Sequence, residues 1–246
     1  MNPDVRQVRA LSFASVAESY ERSRPGYPDD AVSWLAGTDP LAVIDLGAGT
    51  GKLTRSLVAL GHRVTAVEPL PEMLAHLRDA VPEVTAVEGG AEAIPLPDAS
   101  ADIVTVAQAF HWFDHGPALA EIARVLRPDG RIALIWNVRD ESEEWVTELS
   151  DAMVGRTGVD DTGAADPIAA SGLFGAVEQS TFGPHVQEVD RETLRELVLS
   201  RSYCAVLSDD ERAPVFARVN ELFDRHEQGG VVRLPYLAMC FRATRS

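Results

Sequence analysis

The sequence predicts an α/β domain built on a mostly parallel sheet, and three observations carry that prediction. Residues 41 to 136 alternate short β-branched apolar runs with amphipathic stretches, the pattern of βαβ units. A glycine-rich turn, Gly47-Ala48-Gly49-Thr50-Gly51, follows the first apolar run directly and leads into a helical pattern. Two further apolar runs near the C-terminus bring the expected strands to seven, the last of them antiparallel.

The strands are expected at Leu41–Leu46, Arg63–Val67, Val84–Val87, Asp102–Ala107 and Arg131–Trp136. Leu53, Leu57 and Leu60 fall at i, i+4 and i+7, so a helix from about Gly51 to Leu60 lays one apolar face on the sheet, and Gly61 ends it. Met73, Leu74 and Leu77 mark a helix after Pro71. Leu119, Ile122, Val125 and Leu126 mark another that stops before the turn Pro128-Asp129-Gly130. The stretch up to Ala36 reads as two helices broken at Arg24-Pro25-Gly26-Tyr27-Pro28, because each proline biases its predecessor out of the helical region. Beyond residue 140, Asp140 with Glu143 and Ser208 with Glu211 have capping-box spacing, each opening a helix of roughly 15 residues. Thr157–Ala170, rich in Gly and Asp, reads as a loop. Ala176–Phe182 and Val231–Arg242 are the two late strands.

At 246 residues, with 46% hydrophobic and 24% charged side chains, the chain has enough apolar material for one domain with an elaboration. Lys and Arg number 22 against 38 Asp and Glu, a formal charge of -16, and such a surface repels nucleic acid and anionic membranes. Cys204 and Cys240 have neither a disulfide framework nor zinc spacing, and no apolar run approaches a membrane span or a signal peptide. A cytoplasmic protein is expected.

A strand, a glycine turn and a helix N-terminus together bring backbone N–H groups close to a ligand. A nucleoside triphosphate loop requires GxxxxGK followed by Ser or Thr, yet Leu46 stands at the first glycine and Leu53 at the hydroxyl. A dinucleotide fingerprint from Gly47 would require glycine at Lys52. Glu68, at the end of the second strand and 19 residues after Gly49, suits hydrogen bonds from ribose hydroxyls, whichever cofactor carries the ribose.

With Asp45 two positions before Gly47 and glycines at 47, 49 and 51, the segment resembles the first motif of the class I S-adenosylmethionine-dependent methyltransferases. Glu88 to Asp98, Ala101 to Val104 and Leu126 to Arg131 are similar, in order, to later motifs of the small-molecule group of that family. The N-terminal Tyr20 and Arg24 to Pro28, with Ala107 to Phe113, resemble a subgroup related to trans-aconitate methyltransferases. The resemblance implies a Rossmann-like, seven-stranded sheet with helices on both faces, in a single methyltransferase domain. Residues 1–37 would form a helical lid, 38–140 the cofactor core, and 141–246 the substrate-side helices and last two strands. It also implies S-adenosylmethionine as cofactor, S-adenosylhomocysteine as product, and a cofactor site of Tyr20, Arg24, Asp45, Gly47, Ala48, Gly49, Glu68, Pro69, Leu70, Ala91, Glu92, Gln108 and Ala109. In it Arg24 would pair with the methionine carboxylate, Ala91 and Glu92 would meet the adenine, and Leu70 would lie against the ring.

The expected reaction is in-line attack on the sulfonium methyl, in which alignment supplies most of the rate. Aromatic faces attract a sulfonium, so Tyr20, Tyr27, Phe110 and Trp112 are candidate walls, the last three also for the acceptor. His111 is the candidate general base or orienting group for a hydroxyl, while a carboxylate acceptor needs no base. His111, Asp114 and His115 do not make a metal site, lacking the zincin glutamate and a third distant ligand. The acceptor is expected to be a small organic carboxylate or hydroxyl, with its pocket formed by residues 20 to 34, the His111 loop and residues 140 to 230. An NAD-dependent oxidoreductase and a catalytically silent cofactor-binding protein are the alternatives.

Overall fold

The computed structural model describes residues 21–153, 161–200, 204 and 207–246. These fall into two compact units: a first of residues 26–137, 161–183 and 238–246, and a second of 21–25, 138–153, 184–200, 204 and 207–237.

The strands are β1 (Ala42–Leu46), β2 (Arg63–Glu68), β3 (Thr85–Glu88), β4 (Ala101–Ala107), β5 (Leu126–Arg139), β6 (Glu178–Asp190) and β7 (Val231–Thr244). They form one sheet in the order β3-β2-β1-β4-β5-β7-β6, parallel through β5, with antiparallel last strands. The helices are α1 (Asp29–Ala36), α2 (Lys52–Ala59), α3 (Pro71–Ala80), α4 (His115–Val125), α5 (Glu144–Ala152), α6 (Asp161–Ala170), α7 (Arg191–Leu199) and α8 (Asp209–His226).

In the first unit β1 is central, with β2 on one side and β4 on the other. Val43, Ile44 and Leu46 are buried, as a strand covered on both faces requires. Leu53 and Leu57 of α2 and Val32 and Leu35 of α1 join Val43, Ile103 and Ile135 in one apolar cluster. Each such side chain contributes about 1.5–3 kcal/mol by leaving water. Gly51 (φ 88°) and Gly61 (φ 88°) bracket α2 in the left-handed region, where a side chain would be strained. The expected turn at Pro128-Asp129-Gly130 does not precede β5 but lies within it. Ala101 pairs with Leu126 and Ile103 with Arg131, so the extra residues form an irregularity in the ladder. Asp129 there takes φ 64°, and a side chain on Gly130 would come within 2.9 Å of the Arg127 carbonyl oxygen.

In the second unit α5, α7 and α8 bury Val146, Leu149, Leu194, Leu197, Val219 and Leu222 with Val189 of β6 and Val232, Leu234 and Tyr236 of β7. Ser208 and Glu211 form the expected capping box at the start of α8. Two expectations beyond residue 140 are corrected. Asp140 and Glu143 form no capping box: Asp140 Oδ1 accepts from Ser142 N–H, Glu143 is occupied by the Trp145 indole, and α5 begins at Glu144 without a side-chain cap. The Gly- and Asp-rich stretch is helical over Asp161–Ala170, while its first residues lie outside those described. A helix not anticipated, α7, is capped by Asp190, whose side chain accepts from Thr193 N–H.

Candidate functional site

The glycine loop lies at the carboxyl end of β1, where open α/β sheets bind ligands. Its own amides are mostly committed to the protein. Gly47 and Ala48 N–H donate to Val67 O at 2.8 and 3.2 Å, Gly51 N–H donates to Ala48 O at 3.0 Å, and Gly49 N–H donates to Glu68 Oε2 at 2.9 Å. A loop whose amides are occupied in this way is a poor cradle for a pyrophosphate. It still permits close approach: Gly49 (φ 57°) has open space where a side chain would stand. Gly47 (φ 69°) is required for packing, since a Cβ there would lie 2.9 Å from Ala109 Cβ and 3.6 Å from the Phe113 ring.

Two carboxylates support the loop. Asp45, fully buried in β1, accepts from Thr54 Oγ1 at 2.6 Å and Thr105 Oγ1 at 3.1 Å. Burial pushes its pKa from 3.8 up to about 6, against the opposing effect of those hydroxyls. Glu68, 5% exposed at the end of β2, accepts Gly49 N–H and, through Oε1, Leu70 N–H at 3.0 Å. Burial also raises its pKa, with a smaller contribution from Asp45. An ionised carboxylate has about four lone-pair sites, so Glu68 retains acceptor capacity for hydroxyl donors. Pro69 beside it is exposed, and Leu70 is half-buried at the start of α3.

The segment after β3 is held by residues that motif reading did not single out. Arg124 of α4 donates to Ile94 O at 2.8 Å and Leu96 O at 2.9 Å, and pairs with Glu121 and Asp98. Glu121 Oε2 accepts Ile94 N–H at 2.9 Å. Within this segment Ala91 is buried, while Glu92 is exposed and accepts Asp114 N–H at 2.8 Å. Glu92 thereby ties the segment to the turn carrying His111.

After β4, Gln108 adopts φ 56°, unusual for a residue with a side chain. Its N–H donates to Ile135 O at 3.0 Å, and its Nε2 donates to Asn137 O at 3.1 Å. Asn137 Nδ2 in turn donates to Gly26 O at 2.9 Å, fixing the backbone just before Tyr27. Such backbone strain persists where surroundings over-determine it, often beside a binding site. Phe110, His111 and Trp112 form a single 3-10 turn. Phe110, a candidate wall, is 1% exposed; it stacks on His115, centroids 4.7 Å apart, and meets Phe113 edge-on at 5.9 Å. His111 is exposed with its ring 4.7 Å from half-buried Trp112. Tyr27 is half-buried against the apolar cluster of the first unit.

The structure therefore brings Asp45, Gly47, Ala48, Gly49, Glu68 and Leu70 together around one loop, with Ala109 against Gly47. Tyr20 lies outside the described residues. Arg24, in the second unit, donates through Nε to Ser200 Oγ at 3.0 Å and through Nη2 to Ser200 O at 3.1 Å. Missed by sequence reading were Thr54, Thr105, Arg124 and Asn137. The hydroxyl at Thr54, one turn into α2, is the one of these with a local signal, because threonine interrupts an otherwise apolar face.

Residues 44–134 match the family model described as a methyltransferase domain. An uncharacterized methyltransferase of Mycobacterium tuberculosis is 43% identical over 97% of this chain and 98% of its own. A malonyl-[acyl-carrier protein] O-methyltransferase of Pectobacterium atrosepticum is 37% identical over 60% of this chain and 58% of its own. A solved structure from Anaeromyxobacter dehalogenans, titled a putative type II methyltransferase, superposes with TM-score 0.61 at 24% identity, over 90% of this chain and 97% of that one. Motif, sheet order and whole-length similarity to a methyltransferase converge, and the chain belongs to the class I S-adenosylmethionine-dependent methyltransferases.

Proposed function

We propose that this methyltransferase transfers the methyl group of S-adenosylmethionine to an oxygen of a small organic acceptor, a carboxylate or a hydroxyl. The observation that carries the cofactor part is the buried Glu68 carboxylate, which fixes the loop through Gly49 N–H and keeps acceptor positions for a ribose. Gly49 leaves room for the ligand, half-buried Leu70 supplies apolar surface for a base, and Ala91 meets that base through its backbone. When bound, the cofactor supplies a sulfonium methyl already activated for displacement, so the protein's task is to bind, align and exclude water.

The name of the Pectobacterium relative supports an oxygen acceptor. A carboxylate arrives as an anion and needs only orientation. A hydroxyl gains from a base, a role that His111, exposed on its turn, can take. The test is calorimetric titration of the wild type and Glu68→Ala with S-adenosylmethionine, S-adenosylhomocysteine and NAD. Micromolar binding of the first two that collapses in the variant, with NAD silent, is the expected result and leads to a screen of carboxylic acids and phenols. Binding of NAD alone refutes the proposal.

A further inference from the structure

The second unit holds a group of buried and half-buried polar side chains that play no part in the proposed cofactor site. Asp140 N–H donates to Pro235 O at 3.0 Å, which sets Arg139, the last residue of β5, opposite Tyr236 on one face of the antiparallel pair. Tyr236 lies against His185 of β6, ring centroids 5.8 Å apart and planes at 29°. Two residues along β6, on the same face, Gln187 Nε2 donates to Ser23 O at 3.0 Å. That face continues into Leu234 and Val189, part of the unit's apolar cluster.

Arg139 is pinned at one end only. Its Nε donates to the buried Ser150 Oγ at 2.9 Å, while Nη1 is buried and unpartnered, as are Ser23 Oγ and Gln187 Oε1. Among the described residues no carboxylate pairs with Arg139, in a chain that carries 38 of them. A buried guanidinium N–H left unmet is costly, and a fork already oriented by Ser150 is prepared for a planar anion. Among the described residues the group holds one guanidinium, and a single guanidinium matches the charge of a carboxylate better than that of a phosphate.

We propose that Arg139, bordered by His185, Tyr236, Gln187 and Ser23, binds the carboxylate of a small organic acid. That this group binds a carboxylate does not rest on the transferase reading.

The test titrates malonate, benzoate and, as uncharged control, dimethyl malonate into the wild type, Arg139→Gln and Arg139→Lys, with S-adenosylhomocysteine titrated in parallel. Wild type is expected to bind at least one acid and not the diester. Arg139→Gln is expected to weaken the acid by about thirtyfold or more, and Arg139→Lys by less, with S-adenosylhomocysteine affinity unchanged. If Arg139→Gln does not fold, Tyr236→Phe, which removes no charge, is expected to weaken the acid about fivefold. Neither acid binding at millimolar concentration, the diester binding as well as malonate, or full acid affinity in Arg139→Gln each overturns the site. Acid binding with S-adenosylhomocysteine silent upholds the carboxylate site and refutes the transferase reading, and the reverse result does the opposite.

Discussion

Replacing Asp45 by Asn should stabilise the ligand-free protein at neutral pH. Asp45 is 0% exposed, and burial raises its pKa from 3.8 to about 6. The folded state therefore holds this proton more tightly than the unfolded chain. The stability associated with the protonated form is fully present below about pH 4 and is lost as pH rises through about 6. A difference of 6 minus 3.8, at about 1.4 kcal/mol per pH unit, makes the ionised carboxylate cost about 3 kcal/mol at pH 8. About half of that is lost between about pH 5 and pH 8.

An asparagine in place of Asp45 would have no charge to desolvate and would be nearly isosteric, so Thr54 and Thr105 could still bond to it. The pH-independent part of the substitution cancels when the variant is compared with wild type at two pH values. The quantity to measure is the change in that stability difference between pH 5 and pH 8, from urea unfolding at each. Asp45→Asn should gain on wild type by about 1–2 kcal/mol over that interval. Glu68 contributes in the same direction, because the Asp45 charge is one cause of its raised pKa. A pH-independent difference, or wild type gaining on the variant as pH rises, would refute the argument that desolvation dominates at Asp45.

Other substitutions test neighbouring parts of the argument. Gly47→Ala should cost about 2–4 kcal/mol in denaturant unfolding, since it combines a strained φ of 69° with a Cβ only 2.9 Å from Ala109 Cβ. Glu68→Gln places an amide NH2 against either the Gly49 or the Leu70 N–H, and should lose about 2 kcal/mol of stability together with cofactor affinity, read by unfolding and by calorimetry. Ser208→Ala removes the capping box of α8 and should lower stability by about 1 kcal/mol without changing cofactor affinity. His111→Ala should reduce turnover of a hydroxyl acceptor roughly a hundredfold and leave a carboxylate acceptor unaffected, as measured by steady-state kinetics across pH.

What could be read directly from the sequence was what is local. Asp45 to Gly51 announces itself because a strand must turn into a helix within a few residues, and only glycine readily takes the φ values of 69°, 57° and 88° found at Gly47, Gly49 and Gly51. The Ser208–Glu211 box is equally local and formed as expected. The Asp140–Glu143 pair has the same spacing and failed, because the Trp145 indole, two residues on, competes for Glu143 and a tight turn takes Asp140. Spacing states which bonds are possible; competition among neighbours decides which form. The stretch at 161–170 was misread for a related reason, since composition alone does not report the helix that the chain forms there, even with Pro167 inside it.

The residues that escaped sequence reading act across strands. Thr105 reaches Asp45 because β4 pairs with β1, and Arg139 faces Tyr236 because of the register between β5 and β7. No window along the chain contains both partners. Yet the violations of local rules are informative in themselves. Two carboxylates are buried at the cost of raised pKa values, and a glutamine sits at φ 56°. They cluster around the glycine loop and the turn that meets it through Ala109. A fold optimised for stability alone would replace Asp45 and relax Gln108. On the proposed function, their concentration at one end of the central strands is where stability is given up for binding, which makes Asp45→Asn a test of that exchange as well as of one pKa.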